Sequence, residues 1–542
     1  MALSLLHAGT GTSVECTSLL AQVPFLVARA PSLTLVPRNS MARSLARSFD
    51  SLTRRVSLLA HCLGCVSALT VALTGGQASA SGLSAARFGG EHGHPTTDNP
   101  TAIYYNPAGI ALKPGTRIFL DMNLASRWAS YSRSSEAISN LGTGTPSDVE
   151  SANAGTAKLQ NVLVSPFVGA SSDFGTKIFS AGVAAYFPFG GQAVWGQNSQ
   201  YTNNSSYPGA HDGVQRWYTI DGKIRSMYLT GAVAFNIPQI GLSIGVTGSA
   251  IRSETNTIRA RNFDGSDDLI DANFNTLKEG RSWLKASGWQ GGFGIGAIWN
   301  WQQRLWIGAS YTSQPNVVGG MTLKGTLSNA LGTSAAIAEK AELTQTFPDI
   351  IRLGFRVRPS DKVEIRLFGD YTRWSVFDKQ CVLKASIEGR QCNFKGADQA
   401  LAKPESFGAD DPDNAAATAG VIQHLPRFWK DAGGVRLGAS YWFVPQLEAY
   451  AGLGFDSSAV RPATLDAALM DMNKMSASIG ARWQIVRQFA MALTITDVAY
   501  FKVDTKGKNV LHKFQSPTRQ ANANGVYKQN ILLANLFLDV SF

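Results

Sequence analysis

The sequence predicts an all-β fold, a 14-stranded antiparallel transmembrane β-barrel with an N-terminal hatch, or plug, inside the lumen. Three observations predict it. From Leu532 to the terminal Phe542 the side chains alternate: Leu532, Ala534, Leu536, Leu538, Val540 and Phe542 form an apolar face, while Asn535, Asp539 and Ser541 mark the other. A period of two is a strand between two different environments, and about 9–11 tilted residues cross a bilayer. Further strand-like runs follow residue 115 near 116–129, 160–171, 178–187, 224–236, 241–252, 288–300, 304–313, 345–358, 362–374, 433–443, 446–456, 474–486 and 488–500. Finally, short and long connections alternate between these runs, as in bacterial barrels with tight periplasmic turns and long outer loops. Fold and compartment are thus predicted together: a multi-pass protein of the bacterial outer membrane.

Composition agrees. Hydrophobic content is 44%, and a barrel keeps such an ordinary value because half of each strand faces a polar lumen. Beyond the leader no run of about 18 apolar residues occurs, which argues against helical spans. Glycines crowd strand-like runs such as Gly291–Gly296. In a barrel, small residues relieve crowding and permit bends.

Residues 1–80 read as a signal peptide. Arg43, Arg47, Arg54 and Arg55 precede an apolar run from Val56 to Leu73, and Ala78-Ser79-Ala80 fits a cleavage site. Residues 1–40 add nothing to this pattern, so Met41 is a candidate start. Ser, Thr, His and Gly within the run weaken an anchor-helix reading. Lipidation at Cys65 is not expected. Cleavage removes six arginines and two acids and lowers the formal charge from +11 to +7. No basic cluster with interleaved aromatics accompanies that charge, so nucleic acid is not an expected partner. Outside the barrel the cations can meet lipopolysaccharide phosphates. Inside it they can attract anionic solutes.

Residues 81–115 form the predicted hatch. Ile103, Tyr104, Tyr105, Ile110, Ala111 and Leu112 require burial, unlike a frayed tail. At Asn106-Pro107-Ala108-Gly109 an Asn can satisfy backbone groups, and Pro107 fixes its own φ and restricts Asn106. His92 and His94 read as hatch surface rather than a metal site.

Residues 116–542 form the predicted barrel. Trp299, Trp301, Tyr371, Trp374, Tyr441, Trp442, Trp483 and Phe542 sit at strand ends, where interfacial girdles are expected. After residue 80 the cysteines are Cys381 and Cys392, eleven apart in a polar loop. An oxidising compartment favours a Cys381–Cys392 disulfide over a metal site. Asp410, Asp411 and Asp413 read as solvated acids. No histidine falls in a strand-like run to pair with a serine, so nothing supports an enzyme. No cofactor or metal is expected, and the chain is expected to be a monomer.

Six segments in order resemble the FadL/TodX family of outer-membrane transporters for long-chain fatty acids and aromatic hydrocarbons. They are Asp98–Gly109, Tyr186-Phe187-Pro188-Phe189-Gly190, Thr346-Phe347-Pro348-Asp349, Asp370–Phe377, Trp429-Lys430-Asp431 and Gly454-Phe455-Asp456-Ser457-Ser458. The resemblance implies passive uptake of a hydrophobic small molecule. The molecule meets an apolar groove in the outer loops, passes to a tighter site near the hatch, and leaves sideways through a kinked third strand.

Loops 253–287 and 314–344 carry candidate groove residues Phe274, Leu277, Trp283, Leu284, Val317, Met321 and Leu323. Each buried methylene contributes about 0.8 kcal/mol, so an apolar chain needs few hydrogen bonds there. Arg252, Arg427 and Lys430 are candidate carboxylate ligands, although strand parity turns Arg252 outward unless a bulge intervenes. Pro188 is the candidate lateral-exit kink, because proline breaks strand pairing. A general porin, or a structural or adhesive barrel, are the competing readings.

Overall fold

The computed structural model describes residues 87–138, 147–271, 276–317, 320–332, 334–394, 397–406 and 420–542. The expected signal peptide, Phe274 and the acids Asp410, Asp411 and Asp413 lie outside the described residues.

Fourteen antiparallel strands close into a barrel: β1 Thr116–Arg133, β2 Gly155–Ser172, β3 Phe179–Val194, β4 Asp221–Ile237, β5 Leu242–Arg261, β6 Gly280–Trp301, β7 Leu305–Thr312, β8 Ile350–Ser360, β9 Val363–Thr372, β10 Ala432–Val444, β11 Leu447–Asp456, β12 Lys474–Val486, β13 Phe489–Tyr500 and β14 Val526–Ser541. Closure comes from β14 pairing with β1, from Arg117↔Ser541 to Ser132↔Val526. The alternation read in the last strand is a real inside and outside. Leu532 and Leu536 are exposed on the wall, whereas Asn535 and Asp539 are buried in the lumen.

The wall carries an apolar belt between aromatic levels. Trp299 and Trp301 lie exposed at the turn end of β6, and Trp289 lies exposed toward its outer end. The rise from Trp289 to Trp299, at roughly 3.3 Å per residue and a tilt of about 40°, is about 25 Å, the height of an outer-membrane apolar band. Trp374 was expected in a girdle, but it is 1% exposed and lies inside.

Two loop expectations are corrected. Residues 253–261 and 280–287 continue β5 and β6 as strand, with Arg261 still paired to Gly280. The presumed loop 314–344 contains a hairpin, Met321–Ala330 with Ile337–Gln345, that pairs with β6. Strands Lys379–Lys384 and Val421–Pro426 extend this outer sheet. Beyond the bilayer both strand faces meet polar surroundings, so the apolar alternation that reveals a membrane strand fades there.

Residues 87–115 pack inside the barrel. A one-turn helix, Ala102–Tyr105, is followed by a 3-10 turn, Pro107–Ala111. Asn106 Nδ2 donates to the carbonyls of Pro95 (2.9 Å), Ala297 (3.0 Å) and Ala309 (3.2 Å), pinning this segment to β6 and β7. Its Oδ1 accepts from the Ala108 amide at 3.2 Å. The wall is cut back to admit the turn. A Cβ at Gly296 would lie 2.1 Å from Asn106 Oδ1, and one at Gly245 would lie 2.6 Å from the Ala108 nitrogen. Beneath, Asp98 meets Lys113 (3.0 Å), Arg356 (3.1 Å) and Arg117 (3.8 Å). Burial opposes ionisation, but these three cations hold the Asp98 carboxyl well below the usual carboxylate range.

Candidate functional site

A chain of aromatic rings runs from the outer loops to the N-terminal segment. Trp429 packs edge-on against Trp374 and Phe377, each at 4.8 Å between centroids. Phe189 of β3 meets Trp374 at 6.1 Å and Phe347 at 5.4 Å. The chain continues from Phe189 to Tyr228 (6.3 Å) and Tyr186 (5.5 Å), and ends on Phe88 and Tyr104 of the plugging segment, at 5.5 and 5.4 Å from Tyr186. These separations are those of ordinary aromatic packing. Together they make a continuous apolar side to the lumen.

Beside it lies a cavity of about 80 Å³, with room for several waters. Leu284, Leu343, Leu425, Leu469 and Met470 supply apolar lining, and Arg127, Arg259 and Arg427 supply charge. The arginines are held by neighbouring side chains, two of which, Asp466 and Gln380, also line the cavity. Arg427 Nη1 bonds Asp466 at 2.7 Å and its Nε bonds Gln380 at 2.8 Å. Arg259 Nη1 donates to Gln520 at 2.6 Å, and Arg127 Nη2 donates to Gln529 at 2.7 Å. Three guanidiniums thus face one carboxylate, Asp466, among the residues lining the cavity. Chemically, the space suits an apolar body with an anionic end.

The same cavity reaches Gly191, Gln192 and Ala193 of β3. That stretch is where the wall is incomplete. β2 and β3 are paired from Ser172↔Ala181 to Phe167↔Tyr186, and then only an isolated bridge, Leu159↔Trp195, joins them again. Pro188 has no amide hydrogen to give to a ladder. On its other side β3 stays paired with β4, with a register shift between Tyr186 and Phe189. The shift reverses the local parity. Tyr186 and Phe189, three apart, therefore both point inward and are buried at 3% exposure. Across the unpaired interval the contacts are side-chain ones, such as Asn161 Nδ2 to the Val194 carbonyl at 3.1 Å.

The residues singled out from sequence divide. Asn106, Pro107, Ala108 and Gly109 form the buried turn of the plugging segment. Arg427 and Leu284 line the cavity. Met321 and Leu323 lie on the outer hairpin itself, with their side chains fully buried. Trp283 and Val317 are exposed, and Leu277 belongs to a small hairpin with Ile270–Asp271. Arg252 stands on the outward face above Trp289, as parity implies, and Lys430 is exposed to solvent. Neither joins Arg427. Cys381 and Cys392 form the expected disulfide, 6.4 Å between Cα atoms. His94 was read as surface, but it is buried at 3% exposure, its Nδ1 within 3.0 Å of Thr96 Oγ1. Sequence reasoning missed Arg127, Arg259 and the ring chain. The arginines look like ordinary inward positions of a barrel strand. The rings had a signal: Tyr186, Phe189, Phe347, Trp374, Phe377 and Trp429 all fall in the segments that carry the family resemblance.

Comparison with known proteins agrees with this geometry. The family model for outer membrane protein transport protein (OMPP1/FadL/TodX) matches residues 63–536. The fold is similar to a Pseudomonas aeruginosa FadL homologue, with a TM-score of 0.64 at 16% identity over 86% of this chain and 100% of that one. The Pseudomonas putida toluene transporter TodX gives 0.54 at 13% identity over 83% and 95%. The Ralstonia pickettii toluene transporter TbuX gives 0.53 at 13% over 82% and 94%. A Neisseria meningitidis serogroup B protein named for the outer membrane is 26% identical over 267 residues, 45% of this chain; the chain spans about half the length of that relative.

Proposed function

The chain belongs to the outer membrane protein transport (OMPP1/FadL/TodX) family, and from that premise we propose that it takes up hydrophobic molecules with an acidic end, long-chain fatty acids first among them, by diffusion. Entry is from the outer loops. The ring chain from Trp429 to Tyr186 receives the apolar body, and Arg127, Arg259 and Arg427 draw the carboxylate. The observation that carries this reading is the coincidence of cavity and break. The charged, leucine-lined space abuts the interval of β3 that has lost its pairing with β2.

The chemistry needs no energy source and no reacting group. Each methylene leaving water contributes about 0.8 kcal/mol, enough to draw a long chain into the lumen. Arginine binds carboxylates through paired N–H groups and stays charged when buried, so the trio favours an acid over a neutral ring. Residues 87–115 stopper the bore below, which directs release sideways through the gap at Pro188 into the bilayer.

Uptake of labelled oleate and of labelled toluene by cells with and without the gene tests this reading. Faster oleate uptake with the gene is expected; equal uptake would remove transport. Liposome swelling in small sugars tests the porin alternative. Slow swelling is expected from a stoppered lumen, and rapid swelling would favour a porin.

A further inference from the structure

At the outer end of β4–β6 the lipid-facing surface turns from apolar to cationic in an ordered way. Lys223 of β4 is partnered with Asn256 of β5, Asn256 with Lys285 of β6, Lys285 with Thr326 of the outer hairpin, and Thr326 with Lys340. These residues form one continuous row on the outward face, with a lysine on every second strand. At about 4.8 Å between strands the lysines stand roughly 10 Å apart. The row below it runs Arg225, Glu254, Ser287, Lys324 and Glu342.

Two acids of this patch are engaged. Glu254 pairs with Arg225 at 2.8 Å, and Glu342 with Arg390 at 2.7 Å. Among the described residues no acid lies within ion-pair distance of Lys223, Lys285, Lys324 or Lys340. The height is also set. Trp289, 58% exposed, marks the top of the apolar belt. Lys285 is four residues further along the tilted strand, about 10 Å higher. A row of ammonium groups without ion-pair partners, with Asp221 and Glu254 near Lys223 and Glu342 beside Lys324 acting only through space, lies at that level on the side turned to lipid and faces headgroups rather than bulk water.

We propose that this outward face of β4–β6 and the hairpin is a binding surface for the phosphorylated headgroup of lipopolysaccharide. Lys223, Lys285 and Lys340 meet phosphates, Lys324 reinforces them from the row below, and Trp289 packs where the acyl chains begin. The spacing favours a headgroup carrying two phosphates over one carrying a single charge. The surface is separate from the lumen and serves to seat the barrel in the outer leaflet.

Native mass spectrometry of the full chain in detergent micelles tests the proposal with diphosphoryl lipid A, monophosphoryl lipid A, phosphatidylglycerol and inorganic phosphate as probes. Diphosphoryl lipid A should bind best. The variant Lys223→Gln/Lys285→Gln/Lys324→Gln/Lys340→Gln should weaken it at least about tenfold, because each lysine near an anionic surface adds its own increment. The control is Lys158→Gln/Lys528→Gln, an outward pair flanking Ser130 on the opposite strands. It should weaken binding less than the fourfold variant does. All variants alter surface side chains, and heat-modifiable gel mobility confirms that each barrel is folded. Equal weakening by both variants would overturn the proposal by showing generic attraction. So would unchanged binding in the fourfold variant. Competition by inorganic phosphate at equal concentration would reduce the surface to a simple anion site and likewise overturn it.

Discussion

Arg127 on β1 donates through Nη1 to the Gln192 carbonyl of β3 at 3.0 Å, reaching past β2, the strand that lies between them in the wall. It bridges the interval where β2 and β3 exchange no ladder bonds. A hydrogen bond from a charged donor contributes about 1.5–3 kcal/mol. Replacing Arg127 with Ala should therefore speed amide hydrogen exchange of β3 residues 187–194 by at least about tenfold, with β10–β13 unchanged. Unaltered exchange in β3 would mean that the guanidinium does not latch the strand.

Asn106 holds the plugging segment through three carbonyls of three different elements. Asn106→Ala removes the donors, and Asn106→Asp keeps the shape but points a carboxylate at those carbonyls. Each change should loosen the segment by about 1–3 kcal/mol. The expected readout is higher single-channel conductance in a planar bilayer, larger for the Asp variant. Conductance equal to wild type in both would show that other contacts suffice to stopper the bore.

The arginine trio separates acids from neutral cargo. Arg259→Gln and Arg427→Gln should each weaken oleate binding by roughly tenfold, the range expected for loss of a charge-assisted bond. Toluene binding should change less than about twofold, since it lacks a carboxylate. Isothermal titration in detergent measures both. Parallel losses for the two ligands would assign these side chains to packing alone.

Asp98 makes the plugging segment sensitive to acid. Its folded pKa is depressed, because Lys113, Arg356 and Arg117 outweigh burial. A depressed carboxyl contributes stability above its unfolded pKa and loses it as pH falls through the folded value. The opening equilibrium of residues 95–112, taken from hydrogen exchange corrected for the intrinsic rate at each pH, should thus be flat at neutral pH and rise in acid, below the usual carboxylate range. Asp98→Asn should raise exchange at neutral pH and flatten the acid dependence. A variant with the same acid profile as wild type would exclude Asp98 as its source.

Much of this architecture is legible in the sequence because a bilayer and a lumen impose opposite demands on neighbouring residues. Leu532 and Asn535 show that contrast on one strand, and all fourteen strands lie where alternation put them. Parity also placed Arg252 outward. Legibility ends where that contrast ends. Above the belt, Thr257 to Arg261 offer only Ile258 and Ala260 as apolar alternation and read as loop, yet they pair with β6. Long-range convergence is hidden too. Arg127, Arg259 and Arg427 lie on β1, β5 and an outer loop, and nothing local to any of them marks a shared cavity. Phe189 is misplaced by parity alone, since the register shift beside Pro188 turns it inward.

The most direct test restores the missing pairing. Pro188→Val returns an amide hydrogen and a strand-forming side chain to β3, and heat-modifiable gel mobility checks that the barrel still folds. Uptake of labelled oleate by cells carrying this variant should fall at least about fivefold while oleate binding to the purified protein is retained. Uptake equal to wild type, with binding intact, would contradict sideways release through the gap between β2 and β3.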